Sequence, residues 1–384
     1  MTERLSALLH DEALDVPVPA APAEAIIAGG RRTRVRRRLG AGAVSAAAAA
    51  AVAAVCLMPS DGSGLRLAPD PAAASPLDPA GWAVSAGSTL YLGNGATAQL
   101  PDKVKSIYYT SAGTVVRTGT VAYTDAPDSA YALVGDDGRV HSLGLALGDR
   151  APSTDPRLPY LAYAQRRGNT GHDAWDVVLR DVRSGDVAVS VPVDGSFTWG
   201  GWNAPPVALD GDHVYVGLDD ATLDVDWRTG AVSTASHLPA ARFPESTSGR
   251  VALENRSGQP VRVAEVSTGA SVAELSPGGG PGEGPAAVSI SPDGRFALLV
   301  PWRTCDDDNA CVYDQPASEV LQLDGGRSAT VDLGDQVGWT PDGRLIRVTG
   351  QGVDLCSPVT AVCDPTGIRL GEGPVKVGGN SYES

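Results

Sequence analysis

Side chains able to do chemistry are scattered through this 384-residue chain. Beyond residue 58 the histidines are His141, His172, His213 and His237, each in its own stretch. Dispersion of this kind excludes neither a metal centre nor an imidazole base, because a chain that folds back repeatedly can gather distant residues. One by one they read as surface or strand-end histidines. No nucleophile elbow, no His-Glu-x-x-His pair and no phosphate-cradling glycine loop occurs in this part of the chain. Asp306-Asp307-Asp308-Asn309 offers oxygens to Ca²⁺, yet four consecutive side chains do not converge on an ion that wants six to eight ligands, so the run reads as a solvated acidic loop. The candidate binding residues are Trp199, Trp202 and Asn203, in Phe197-Thr198-Trp199-Gly200-Gly201-Trp202-Asn203. Glycines between two flat rings let them approach a sugar or a peptide. Trp82, Trp175, Trp227, Trp302 and Trp339 close apolar runs and read as core. No residue is assigned a catalytic role, and no metal or other cofactor is called for.

Four of the five cysteines form two close pairs, Cys305 with Cys311 and Cys356 with Cys363. Outside the cytoplasm such pairs read as disulfides, and of the three connectivities open to four cysteines the two local ones are favoured. No histidine stands near either pair, which argues against zinc.

The compartment follows from the amino end. Arg31-Arg32-Thr33-Arg34-Val35-Arg36-Arg37-Arg38 precedes an uncharged run, Leu39 to Met58, that stops at Pro59. Twenty residues at about 1.5 Å each span about 30 Å, the hydrocarbon thickness of a bilayer. Arginines flank spanning helices on the cytoplasmic side, so residues 1–38 are expected inside and 59–384 outside. A cleaved signal peptide, a lipidated Cys56 and a buried helix are the alternatives; the long basic leader, bulky Val55 and the adjacent arginines weigh against each in turn. Residues 1–58 hold 7 Arg against 5 Asp and Glu, which leaves −17 of the total −15 on the remainder. An acidic exterior argues against nucleic acid as a partner. With 3 lysines beside 27 arginines and abundant Ala, Gly and Pro, the composition fits a high-GC bacterial genome.

Leu5, Leu8 and Leu9 share one face of a short helix that Pro17, Pro19 and Pro22 end. Residues 1–38 are too few for a core and read as an orienting tail or as a docking peptide for a cytosolic regulator. The arrangement resembles transmembrane anti-sigma regulators, without their His/Cys zinc signature. Pro59, Pro69, Pro71, Pro76 and Pro79 mark 59–80 as a linker.

From Gly81 onward the unit is strand, tight turn, strand. Copies occur at Ser88–Leu100, Tyr131–Leu147, Asp176–Val193, Thr222–Ser236, Val261–Leu275, Ser318–Leu333 and Gly352–Arg369, the last bracketed by Cys356 and Cys363. Turn glycines at 95, 138, 185, 230, 269 and 326 lie 43, 47, 45, 39 and 57 residues apart. That period predicts an all-β propeller over residues 81–384, seven-bladed, with six or eight blades left open between Leu100 and Tyr131. Pro374–Val377 is expected to close the ring against Trp82–Leu100.

Ser291-Pro292-Asp293-Gly294-Arg295-Phe296 and Thr340-Pro341-Asp342-Gly343-Arg344-Leu345 resemble the turns of TolB-type propeller repeats. Val178–Gly185 and Val225–Gly230 resemble the end of a WD40 blade, with Arg180 where that family has Trp. The resemblance implies a propeller in a bacterial envelope. The expected function is a membrane-tethered, non-catalytic propeller that binds an envelope protein, a peptide or a cell-wall glycan. Two alternatives stay open: an exported lactonase-like hydrolase with an axial metal, and a transmembrane signalling regulator whose residues 1–38 hold a cytosolic partner.

Overall fold

Short apolar runs between glycine turns form antiparallel strands. In the computed structural model they make six four-stranded sheets, one five-stranded sheet and a two-stranded ribbon. The structure describes residues 66–67, 74–122, 128–148, 152–168, 173–198, 203–240, 246–253, 260–275, 287–300, 303–305, 311–313 and 317–379. The expected inner segment and span, residues 1–58, lie outside these. Among the described residues no helix is long and apolar enough to cross a membrane.

The larger sheets are the blades of a seven-bladed β-propeller. Blade 2 runs from Lys103–Thr110 to Val140–Ser142, blade 3 from Ser153–Thr154 to Val187–Asp194, and blade 4 from Val207–Asp210 to Ala231–Thr234. Blade 5 runs from Ser246–Thr247 to Ser271–Leu275, blade 6 from Ala287–Ile290 to Ser328–Asp332, and blade 7 from Gln336–Trp339 to Cys363–Arg369. Each hairpin read from the sequence supplies the third and fourth strands of one blade, counted from its inner edge. The region that left the blade count open supplies two long strands, Lys103–Thr110 and Gly113–Gly119.

Blade 1 takes its outer strands from Ala83–Ala86, Thr89–Leu92 and Thr97–Gln99, and its innermost from Val375–Val377. Val377 lies opposite Val84, and Val375 opposite Ala86. This two-ended blade closes the ring, as expected, and removes the unpaired inner edge that an open array would expose.

Hydrogen bonds pass across every junction between blades. Ala83 N donates to the Tyr109 hydroxyl at 3.3 Å, Ser111 N to Leu158 O at 3.1 Å, and Gly211 N to Asp155 at 2.9 Å. Gly249 N donates to Asp210 at 2.7 Å, Ser248 Oγ to Pro292 O at 2.8 Å, and Arg295 to Asp342 O at 2.9 Å. Trp339 N completes the circle on Gly378 O at 3.0 Å. Both Pro-Asp-Gly-Arg turns put glycine at positive φ, but the first closes Ser291 N on Phe296 O and the second closes Thr340 N on Arg344 O. Asp293 accepts from Ser291 Oγ and Arg295 N, while Gly294 sits at φ 72°. A Cβ there would meet the Ser248 Cβ at 2.8 Å, so only glycine fits.

Cys356 and Cys363 face each other across blade 7 and are disulfide-bonded, with Cα atoms 3.9 Å apart. Arg303–Cys305 and Cys311–Tyr313 form the two-stranded ribbon, inserted between the second and third strands of blade 6, with Cys305 opposite Cys311. The side chains of that ribbon lie outside the description, so their bond stays an expectation. Within the stretch read as a linker, Arg66–Leu67 pairs with Val189 and Ser190 as a fifth, outermost strand of blade 3.

Candidate functional site

The strand His213–Gly217 of blade 4 has two different faces. Val214 and Val216 join Trp175, Val177, Val225 and Trp227 in the core shared with blade 3. His213 and Tyr215 turn the other way, toward blade 5. There Tyr215 packs with Ala208, Leu238, Val251, Ala264 and Val266. A cleft of about 490 Å³ opens beside this strand, lined among others by Asp210, Asp212, His213, Tyr215, Asp224 and His237.

Strand register assembles the polar wall. Asp224 lies opposite Tyr215 and diagonally from His213, on the same face. The His213 Nδ1–H donates to Asp224 Oδ1 at 2.7 Å, and the imidazole stacks on Tyr215 at 6.1 Å between centroids and 10° between planes. With Nδ1 committed, Nε2 is left to accept a hydrogen bond or a proton. Burial, and then the charges of Asp224 and Asp210, push the Tyr215 phenol above its ordinary 10.0. It therefore stays a hydroxyl at neutral pH. That hydroxyl makes no hydrogen bond to any described residue and is open to the cleft.

Ion pairs from outside the lining brace the cleft's carboxylates. Arg157 bridges Asp155 at 3.1 Å and Asp210 at 3.8 Å. Burial opposes its charge, but the two carboxylates outweigh burial and raise its pKa. Arg228 pairs with Asp212 at 2.5 Å and lies 4.4 Å over the Trp227 ring, whose Nε1 donates to Gly211 O at 2.9 Å. Both guanidiniums are committed to these contacts. Asp155, Asp210, Asp212 and Asp224 outnumber them, so the cleft is net negative. Among the described residues no group of three His, Cys, Asp or Glu side chains is placed to hold a metal ion.

The sequence-derived candidates lie elsewhere. Trp199 and Trp202 fall outside the described residues, and Asn203 is exposed and does not line the cleft. The root of their loop is fixed: Phe197 is buried edge-on to Trp175 at 6.2 Å, and Ser196 and Thr198 bond Asp219. Trp82, Trp175, Trp227 and Trp339 are buried, as expected, and Trp302 is outside the description. Of the histidines, His141 is exposed on the outer strand of blade 2 and His172 is outside the description, whereas His213 and His237 meet in one cleft. Sequence reasoning missed that meeting. The available signal was a polar set, His213 and Tyr215 against Asp224, on alternating positions of strands whose other face is valine.

No family model matches the chain, and no curated protein matches it. Its likenesses are to solved propellers. Apo AztD from Citrobacter koseri aligns at 10% identity and TM-score 0.48, over 77% of this chain and 97% of that one. A candidate 6-phosphogluconolactonase from Bacteroides fragilis aligns at 12% identity and TM-score 0.44, over 79% and 99%. The propeller domain of Myceliophteria thermophila Cps50 (Swd1) aligns at 10% identity and TM-score 0.34, over 68% and 96%. At these values no ligand or activity passes from them to this chain.

Proposed function

We propose that this chain is a non-catalytic binding propeller, tethered by residues 39–58 and presented outside the cytoplasmic membrane of a bacterium, where it binds an envelope protein, peptide or cell-wall ligand. The observation that carries the reading is the cleft between blades 4 and 5. Its walls belong to a closed ring, its cations are already paired, and its Tyr215 hydroxyl is a protonated, unengaged polar group. Those are features of a recognition surface held rigid by its scaffold. The resemblance to TolB-type repeats, the arginine-flanked apolar run and the acidic exterior support the placement outside. Trp199, Trp202 and Asn203 remain a second proposed contact region.

A photo-crosslinker at Ser236, an exposed residue lining the cleft, tests this in cells. The reading expects a defined adduct, lost when Tyr215→Ala is added. Absence of any adduct at Ser236, with a normally folded protein, would overturn it.

One observation favours a hydrolase instead. The His213–Asp224 pair is half of a general-base apparatus. Turnover of an ester or lactone panel that His213→Ala abolishes would establish that alternative.

A further inference from the structure

We infer that the cleft between blades 4 and 5 takes a cationic side chain, the guanidinium or ammonium of a basic peptide; this rests on reading the cleft as a binding site. Two independent observations point there. The first is charge: Asp210, Asp212 and Asp224 line the cleft, while Arg157 and Arg228 are engaged by Asp155, Asp210, Asp212 and the Trp227 ring. The second is Tyr215. Its side chain is 6% exposed, it lines the cleft, and its hydroxyl has no hydrogen-bond partner among the described residues. The hydroxyl opens into the cleft, where a ligand that bonds it takes the place of water.

The chemistry of that ligand follows from what the hydroxyl faces. Its neighbours in charge are Asp224 and Asp210. An anion brought to the same point would meet carboxylates in a half-buried setting of reduced dielectric. An N–H cation instead donates to the phenol oxygen and to a carboxylate together, and such charge-assisted bonds are the strong ones. The stacked His213 and Tyr215 rings also give a planar guanidinium a flat surface to lie on. About 490 Å³ holds one or two side chains, not a folded partner.

The test uses the full-length protein in mild detergent and fluorescein-labelled pentapeptides in which two residues, arginine, glutamine or glutamate, alternate with alanine. Fluorescence anisotropy should show the arginine peptide binding, at least ten-fold tighter than the glutamine peptide and weakening as salt rises. Asp224→Asn should weaken it about ten-fold. Tyr215→Phe, which keeps the ring and its packing, should weaken it at least three-fold with no loss of thermal stability. The inference is overturned if the arginine peptide does not bind, if the glutamine or glutamate peptide binds as well, or if both variants leave binding unchanged. The Ser236 crosslink separates the two failures. A neutral or acidic adduct there sinks the cationic ligand and leaves the binding site standing; no adduct at all removes the site too.

Discussion

Ending the chain after Gly373 would remove the innermost strand of blade 1 and with it the closure of the ring. Val377 is 7% exposed, and returning a buried valine to water costs about 2 kcal/mol. Gly87 N bonds Pro374 O at 2.9 Å, Gly378 N bonds Ala83 O at 3.1 Å, and Trp339 N bonds Gly378 O at 3.0 Å. With the ladder to Ala83–Ala86, these hydrogen bonds bring the loss to about 6 kcal/mol at about 1 kcal/mol each. Ala83 and Val84, now fully buried, would gain exposure, and the inner strands of blades 7 and 2 would lose the strand between them. A loss of about 6 kcal/mol is a large share of the ~5–15 kcal/mol that holds a domain folded, and lowers Tm by about 10 °C or more in one this size. Circular dichroism melts of the intact and shortened full-length proteins measure the difference. A synthetic peptide of residues 371–379 should restore part of it. If the shortened protein melts within about 2 °C of the intact one, closure is not what holds the blades together.

Other expectations follow from single features. Replacing Cys356 and Cys363 together by serine releases a crosslink of sequence separation 7 and should lower stability by about 2.4 kcal/mol, read from urea midpoints. Gly294→Ala forces a side chain into positive φ and onto Ser248, so a loss of about 1–2 kcal/mol is expected, whereas Gly350→Ala, at positive φ in open space, should lose less. Acid should destabilise the ring. The Asp128 carboxyl is held well below its ordinary 3.8 by Thr120 and then Lys105, and Glu265 is held below 4.5 by Arg250 and Thr268. Both folded pKa values are depressed, so the stabilisation is complete above about pH 5 and drains away as pH falls through them. Urea midpoints should be flat from pH 7 to about 5 and drop below about 4, with a shallower drop in Asp128→Asn.

Much of this fold is legible in the sequence because outer strands alternate and their turns need glycine. Thr222–Asp226 and Ala231–Thr234, around Gly230, announce themselves in that way. Lys103–Thr110 does not. All but its first residue is buried, and a strand covered on both faces carries no period of two. Arg66–Leu67 is hidden by the prolines around it, since two residues added to an outer edge leave no pattern. The cleft was illegible for another reason. His213, Asp224 and His237 belong to three strands or turns of one blade, but the space they enclose exists only once blade 5 is stacked beside them.

Where the ring sits is tested most directly by reporter fusions at Ser384. The proposed span over residues 39–58 predicts that alkaline phosphatase fused there is active and β-galactosidase is not. Active β-galactosidase with silent alkaline phosphatase would place the propeller in the cytosol and contradict the account at its root.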